Sequence, residues 1–328
     1  MKILIALASA IVLALSSSVG FALTAESVNT AEFREMPARS GKNVARPDPL
    51  IVAAQVLLSR RSISPGEIDG LDGKNFRKAL AQFRRGNGPG DGDDLDQRTW
   101  VALTAGSNGG IVVSYTLSRK DVSARFVRSI PRDYARQARL RRLAYTNPLE
   151  MLAERFHMSE GLLNELNPKA KFRKIGERIV VVSVDRAPAY VAAERIEANK
   201  TTGMVSVYGP GDLVLASYPA TIGSDDTPSP TGEYTVERIV KNPTYHYDPQ
   251  KNFQQGRNKR KLVLPRGPNN PVGTVWIALS KPTFGIHGTP EPSKVSKTSS
   301  HGCVRLTNWD VEELAALARK GLPVRFVE

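Results

Sequence analysis

The chain has 328 residues, a length that allows two or three domains, and its 46 Lys and Arg against 32 Asp and Glu leave a formal net charge of +14. A single cysteine excludes an intramolecular disulfide, and beyond the extreme N-terminus no apolar run is long enough for a membrane span. So basic a surface favours polyanions: nucleic acid, anionic lipid or an acidic wall polymer. Part of the charge also reads as a solvated face, as in Arg139-Leu140-Arg141-Arg142 and Arg257-Asn258-Lys259-Arg260-Lys261.

Lys2, the apolar run Ile3 to Leu15 and the small residues around Gly20-Phe21-Ala22 read as a secretory signal over residues 1–25, with an uncleaved anchor as the alternative. Export to the periplasm or cell-wall space removes nucleic acid from the expected partners. Residues 26–46, polar with few large apolar side chains, are expected to be a flexible linker. From Pro47 the pattern turns helical, with Ile51, Ala54, Gln55, Leu57 and Leu58 on one face. Ser64-Pro65-Gly66 to Gly70 is a turn, and Asn75 to Phe83 is a second amphipathic helix. An Asp-rich loop follows that lacks the spaced ligands and closing Glu of a calcium site, then Thr99-Trp100-Val101-Ala102-Leu103 opens a third helix. Across residues 48–106 this order resembles the small three-helix peptidoglycan-binding domain.

Residues 107–145 read as a connector: Ile111 to Leu117 has strand composition, Asp133 to Leu143 a basic helix, and no chemistry attaches to either. In residues 146–185, Asn147 precedes Pro148 at a first helical position, and Leu149, Leu152 and Phe156 share a face. Ser159 caps a second helix with Leu162, Leu163 and Leu166, which stops at Asn167-Pro168, before the strand Ile179 to Val182. This segment looks like the helical part of a LysM module, which implies binding of N-acetylglucosamine polymers. A LysM-derived spacer that binds nothing is the other reading.

Residues 188–328 are β-rich, with short strands between Gly- and Pro-containing turns and one clear helix over Asn308 to Lys320. The predicted fold is multidomain α+β. A mainly-β domain, sandwich or flattened barrel with a late helix, follows a small three-helix domain and the LysM-like segment.

The chemistry concentrates in Ile286-His287-Gly288-Thr289 and Ser299-Ser300-His301-Gly302-Cys303-Val304-Arg305-Leu306. Two of four histidines fall in this window with the only thiol, and polar, small neighbours make a poor core segment. A lone thiol needs a base and a positive environment to become a nucleophile, and both are present. These residues match the two-part signature of L,D-transpeptidases (the YkuD-type catalytic domain), to which the upstream Thr-Gly-Glu-Tyr loop at Thr231 to Tyr234 also conforms. On that resemblance Cys303 is the acylated nucleophile and His287 the general base and acid. His301 is a support or rival base. Backbone N–H groups of Gly302 and Cys303 form an oxyanion hole, while Arg305 favours thiolate or holds a substrate carboxylate. Ser300, Gly288, Tyr245 and Tyr247 contact substrate, the tyrosines with His246 forming a lid or simply packing as a loop. Glycine after His287 makes a backbone carbonyl the expected partner of the base.

The resemblance implies attack on the bond between the third, L-centred residue of a tetrapeptide stem and its terminal D-alanine. The acyl group then passes to an amine of a second stem, giving a 3→3 cross-link, or to an envelope protein. Peptidoglycan stems and glycan strands are the implied partners, carbapenem-type β-lactams the implied inhibitors, and no cofactor or metal is required. Three rivals remain. An L,D-carboxypeptidase would use water as acceptor, and a zinc site would use His287, His301 and Cys303. The third is a non-catalytic wall-binding protein.

Overall fold

The computed structural model describes residues 23–36, 46–88, 90–184, 191–223, 228–251, 253–298 and 302–328. The signal segment through residue 22, together with Ser300 and His301, lies outside them.

Part of the expected linker is helical. Thr24 caps α1 (Ala25–Asn29), whose Val28 is buried. Asn29 exchanges two hydrogen bonds with the backbone of Val112, at 3.0 and 2.9 Å, and Arg34 pairs with Asp48. Those tertiary partners, invisible to a composition-based reading, order residues 25–36. Asp48 then accepts from Leu50 N at 2.9 Å and Pro49 occupies the first turn of α2 (Pro49–Arg60). Ten residues of α2 from Leu50 to Ser59 are buried, because helices wrap it: α1, α3 (Lys74–Asn87) and α4 (Gln97–Thr104). In the Asp-rich loop, Asp96 caps α4 through Thr99 N at 2.7 Å and takes a 2.8 Å ion pair from Arg84.

The strand composition in the connector has a partner. β1 (Val112–Thr116) pairs antiparallel with β2 (Arg178–Val182), Val112 opposite Val182. Between them run α5 (Arg119–Val122), α6 (Tyr134–Gln137), α7 (Pro148–Arg155) and α8 (Glu160–Leu166). Asn147 and Ser159 cap α7 and α8 through Glu150 N and Leu162 N, at 2.9 and 3.1 Å. The result is a β-α-α-β unit with an insertion, residues 117–146, ahead of its helix pair. The predicted basic helix from Asp133 shrinks to the four residues of α6. Leu143 leaves it to bond Arg266 O and Asn269 N, both at 2.9 Å, in the C-terminal domain. Helices and β-α-α-β unit share one apolar cluster running from Val28 to Val182.

The C-terminal domain starts with β3 (Arg195–Asn199), β4 (Met204–Tyr208), β5 (Val214–Pro219) and β6 (Thr221–Ile222). It continues through β7 (Gly232–Lys241), the hairpin β8 (Tyr245–Tyr247) and β9 (Leu262–Leu264), then β10 (Val275–Leu279), β11 (Gly285–His287) and β12 (Val304–Arg305). Helix α9 (Asn308–Leu317) and β13 (Pro323–Val327) complete it. Nine strands form one sheet in the order β5-β4-β3-β13-β7-β10-β11-β12-β6. Only Ala220 separates the two edge strands in sequence, so the sheet is nearly closed. Helix α9 ends at Leu317 rather than Lys320, since Arg319 turns to bond Ala193 O and Gly321 N bonds Val236 O at 2.8 Å.

The two bodies meet closely. Ser64 N donates to Ser217 O and Ser217 N to Ser62 O, each at 2.8 Å, extending the β5 edge. His157 stacks on Trp309 at 5.2 Å, and Asn308 donates to both Glu154 oxygens at 3.1 Å. No helix among the described residues is long and apolar enough to cross a membrane.

Candidate active site

Strand register sorts the functional side chains from the core. Ile239, Ile277, Ile286, Val304 and Ile222 are paired across five strands and form one row. Ile277, Ile286 and Val304 in that row are fully buried, and α9 packs over β10 and β11. The adjacent row, Val240, Trp276, His287, Arg305 and Thr221, therefore lies on the opposite face. The period of two brings Gly285 to that same face, and its backbone hydrogen-bonds the thiol of Cys303, the residue directly before β12. Parallel pairing of β11 with β12 is what places His287 beside Arg305, although their motifs are separate in sequence.

His287 is 5% exposed, and its ring stacks on Trp276 with centroids 5.4 Å apart. Its Nδ1 lies 2.7 Å from Gly288 O. A carbonyl only accepts, so Nδ1 carries the hydrogen and Nε2 keeps a lone pair. Burial lowers the imidazole pKa to about 4; the Gly288 bond opposes this, and Arg305 adds to it. At neutral pH the ring is an uncharged base.

Cys303 is half-buried, and its thiol donates to Thr283 O at 3.7 Å. Burial pushes its pKa above the usual thiol range, against the backbone of Gly285 and the charge of Arg305, which favour thiolate. The resting pair is thus thiol and neutral imidazole rather than an ion pair. Before it, Gly302 has φ +94, and a Cβ there would stand 2.9 Å from Phe284 Cε1. Ser229, in the Pro-rich loop, donates to Gly302 O at 2.7 Å and fixes the turn that presents the thiol.

Gly288 sits behind the base rather than facing the cleft. A Cβ on it would come 2.3 Å from Asn308 Oδ1. Tyr247 is 1% exposed, its hydroxyl bonded to Asn258 O and Gln255 N at 3.2 and 2.9 Å, so it is hairpin core. Tyr245 is half-buried, and its hydroxyl pKa is pushed up by burial and by nearby Tyr134 and Cys303. Sequence reading missed Tyr134, Trp276, Ser229 and Asn308. Tyr134 comes from the insertion, edge-on to Tyr245, Tyr247 and Phe253 at 6.0, 5.3 and 6.1 Å. Its pKa is pushed up to about 12 by burial, with Arg305 pulling the other way. For Trp276, the alternation of the strand feeding His287 was the available signal; Tyr134 had none.

A thiol, a neutral imidazole and a guanidinium on one face of a nearly closed sheet define a cysteine–histidine site on a mainly-β domain. Residues 193–325 match the family model YkuD, the L,D-transpeptidase catalytic domain. YkuD of Bacillus subtilis (strain 168) is 29% identical over 180 residues, covering 54% of this chain and 91% of that protein. YbiS of Escherichia coli (strain K12) is 27% identical over 187 residues, covering 56% of this chain and 61% of that protein. Both carry L,D-transpeptidase names. The crystal structure of Mycobacterium tuberculosis L,D-transpeptidase 1 aligns over 46% of this chain and 70% of its own, with 15% identity and a TM-score of 0.32.

Proposed function

We propose that the protein is an exported peptidoglycan L,D-transpeptidase in which Cys303 is acylated by a tetrapeptide stem and passes the acyl group to an amine of a second stem. The observation that carries this reading is the 2.7 Å contact of His287 Nδ1 with Gly288 O, which leaves Nε2 as the base. Nε2 takes the thiol proton as sulfur attacks the carbonyl of the third residue. Backbone N–H groups of Gly302 and Cys303 hold the oxyanion, and the imidazolium returns its proton to the departing D-alanine amine. An acceptor amine attacks the thioester, His287 takes its proton, and the thiol re-forms with a 3→3 peptide cross-link. Arg305 lowers the cost of negative charge on sulfur and raises the cost of an imidazolium, so proton return is fast. The N-terminal body, with its β-α-α-β unit docked on α9, holds the glycan strand of the same substrate.

Intact mass of the full chain after incubation with purified disaccharide-tetrapeptide, and separately with a carbapenem, tests this. A Cys303-dependent adduct and a dimeric muropeptide are expected. Tripeptide as sole product would make the protein an L,D-carboxypeptidase, and an envelope-protein adduct would name a different acceptor. Unchanged turnover in Cys303→Ala would end the thiol mechanism. The zinc alternative draws on His301, which lies outside the described residues.

A further inference from the structure

Beside the thiol opens a cavity of about 400 Å³. Val240 and Trp276, of the row that carries His287, line it, as do Tyr245 and Thr283, whose carbonyl accepts from the Cys303 thiol. Arg238, Lys251 and Arg266 also line it, and none of the three forms an ion pair among the described residues. The one carboxylate lining it, Asp248, is already engaged, by Lys261 at 3.1 Å and by Gln250 N at 3.1 Å. An apolar floor beside the nucleophile, with two arginines and a lysine around it against a single carboxylate that Lys261 already pairs, suits a ligand that is part hydrocarbon and part anion.

We infer that this cavity is a carboxylate subsite, taking a free carboxylate of the peptide substrate within about two residues of the scissile carbonyl. The inference rests on the acyl-transfer reading of Cys303. Register supports the distance. Arg238 pairs with Ala278 and Ala278 with Gly285, the residue before Ile286, while Cys303 precedes its partner Val304. Arg238 is therefore in the thiol's row, three strand spacings away, roughly 14 Å. Two extended residues span about 7 Å, and the long arginine side chain closes the remainder. Arginine holds carboxylate bidentately, and Trp276 and Tyr245 cover the intervening methylenes. Two carboxylates of the reaction have this chemistry: that of the donor stem, including the leaving D-alanine, and that of the acceptor stem.

The test uses the full chain with Arg238→Gln, Lys251→Gln and Arg266→Gln, singly and together. The probes are disaccharide-tetrapeptide and its carboxyl-amidated counterpart, with alkylation of Cys303 by neutral iodoacetamide as the control for thiol integrity. The combined variant is expected to lose about 10-fold in kcat/KM on the free acid at low salt, a difference that shrinks at roughly 0.3 M salt. The amidated probe and iodoacetamide should react as with the parent. Loss in single-turnover acylation assigns the subsite to the donor carboxylate. Unchanged acylation with less transfer and more hydrolysis assigns it to the acceptor. Equal loss on free and amidated probes, or no loss in either step, overturns the subsite. Turnover surviving in Cys303→Ala would instead overturn the reading beneath it.

Discussion

His287 and Glu154 lie on either side of Asn308, one at the site face of the sheet and the other in the docked N-terminal body. The Asn308 amide donates to Glu154 at 3.1 Å, and its Oδ1 presses on Gly288, whose carbonyl holds the imidazole. Burial penalises charge in both places, yet with opposite results. It lowers the histidine to about 4 and raises the glutamate to about 7, against the hydrogen bonds of Tyr145 and Asn308. At the site the outcome is an uncharged base ready to take a proton. At the junction it is a carboxyl whose protonation is tied to docking. The same physical penalty favours the neutral form of both groups.

The largest break in this comparison comes at the site. Cys303→Ala should abolish acyl-enzyme formation, and His287→Gln should slow acylation about 10²- to 10⁴-fold. Pre-steady-state mass spectrometry reads both. With the histidine at about 4, the acid limb of acylation should fall near pH 4, leaving the rate level across pH 6, where an ordinary histidine titrates. A limb centred near 6.5 would place the imidazole in a far wetter setting.

Stability sharpens the contrast next. The folded pKa of His287 is depressed from 6.5, so its contribution, about 3 kcal/mol, is whole above pH 6.5 and lost as pH falls towards 4. Glu154 is raised from 4.5 to about 7, so its contribution, up to about 3 kcal/mol, is whole below pH 4.5 and lost as pH rises through 7. Glu67, also raised to about 7 by burial and by Asp69, acts in the same direction as Glu154. Between pH 4.5 and 6.5 the two bodies therefore pull against each other. In Glu154→Gln, urea unfolding should show stability rising more steeply from pH 5 to 7 than in the parent. An identical slope would separate Glu154 from docking.

Asn308→Ala should cost about 1–3 kcal/mol, since it leaves the Glu154 carboxyl with Tyr145 alone of these two donors and removes Asn308 Oδ1, which accepts from Thr274 N at 3.1 Å. It should also lower acylation by loosening the turn behind His287, whereas Glu154→Gln keeps the turn and the rate. The smallest effect belongs to Tyr134→Leu. Loss of the edge-on ring contacts should cost about 1 kcal/mol, read as faster hydrogen exchange in the β8–β9 hairpin.

Local chemistry was legible in the sequence. Asn147 and Ser159 cap the helices expected of them, because a cap needs only backbone N–H groups three residues away. Cys303, His287 and Arg305 stood out by residue type and spacing. Distant pairing was not legible. Val112 pairs with Val182 across the helices that lie between them in sequence, and Asn29 of α1 reaches Val112. A basic run from Asp133 with helical composition yields four helical residues, since Leu143 gains backbone partners in the other body. Tyr134 reaches the site, and Glu154 reaches Asn308, across stretches of chain that no periodicity connects. Sequence alone singled out the groups proposed to carry the chemistry, for reactivity is a property of side chains and their near neighbours. Tertiary structure decided their protonation and their company, because burial and non-local contact exist only after the chain has closed on itself.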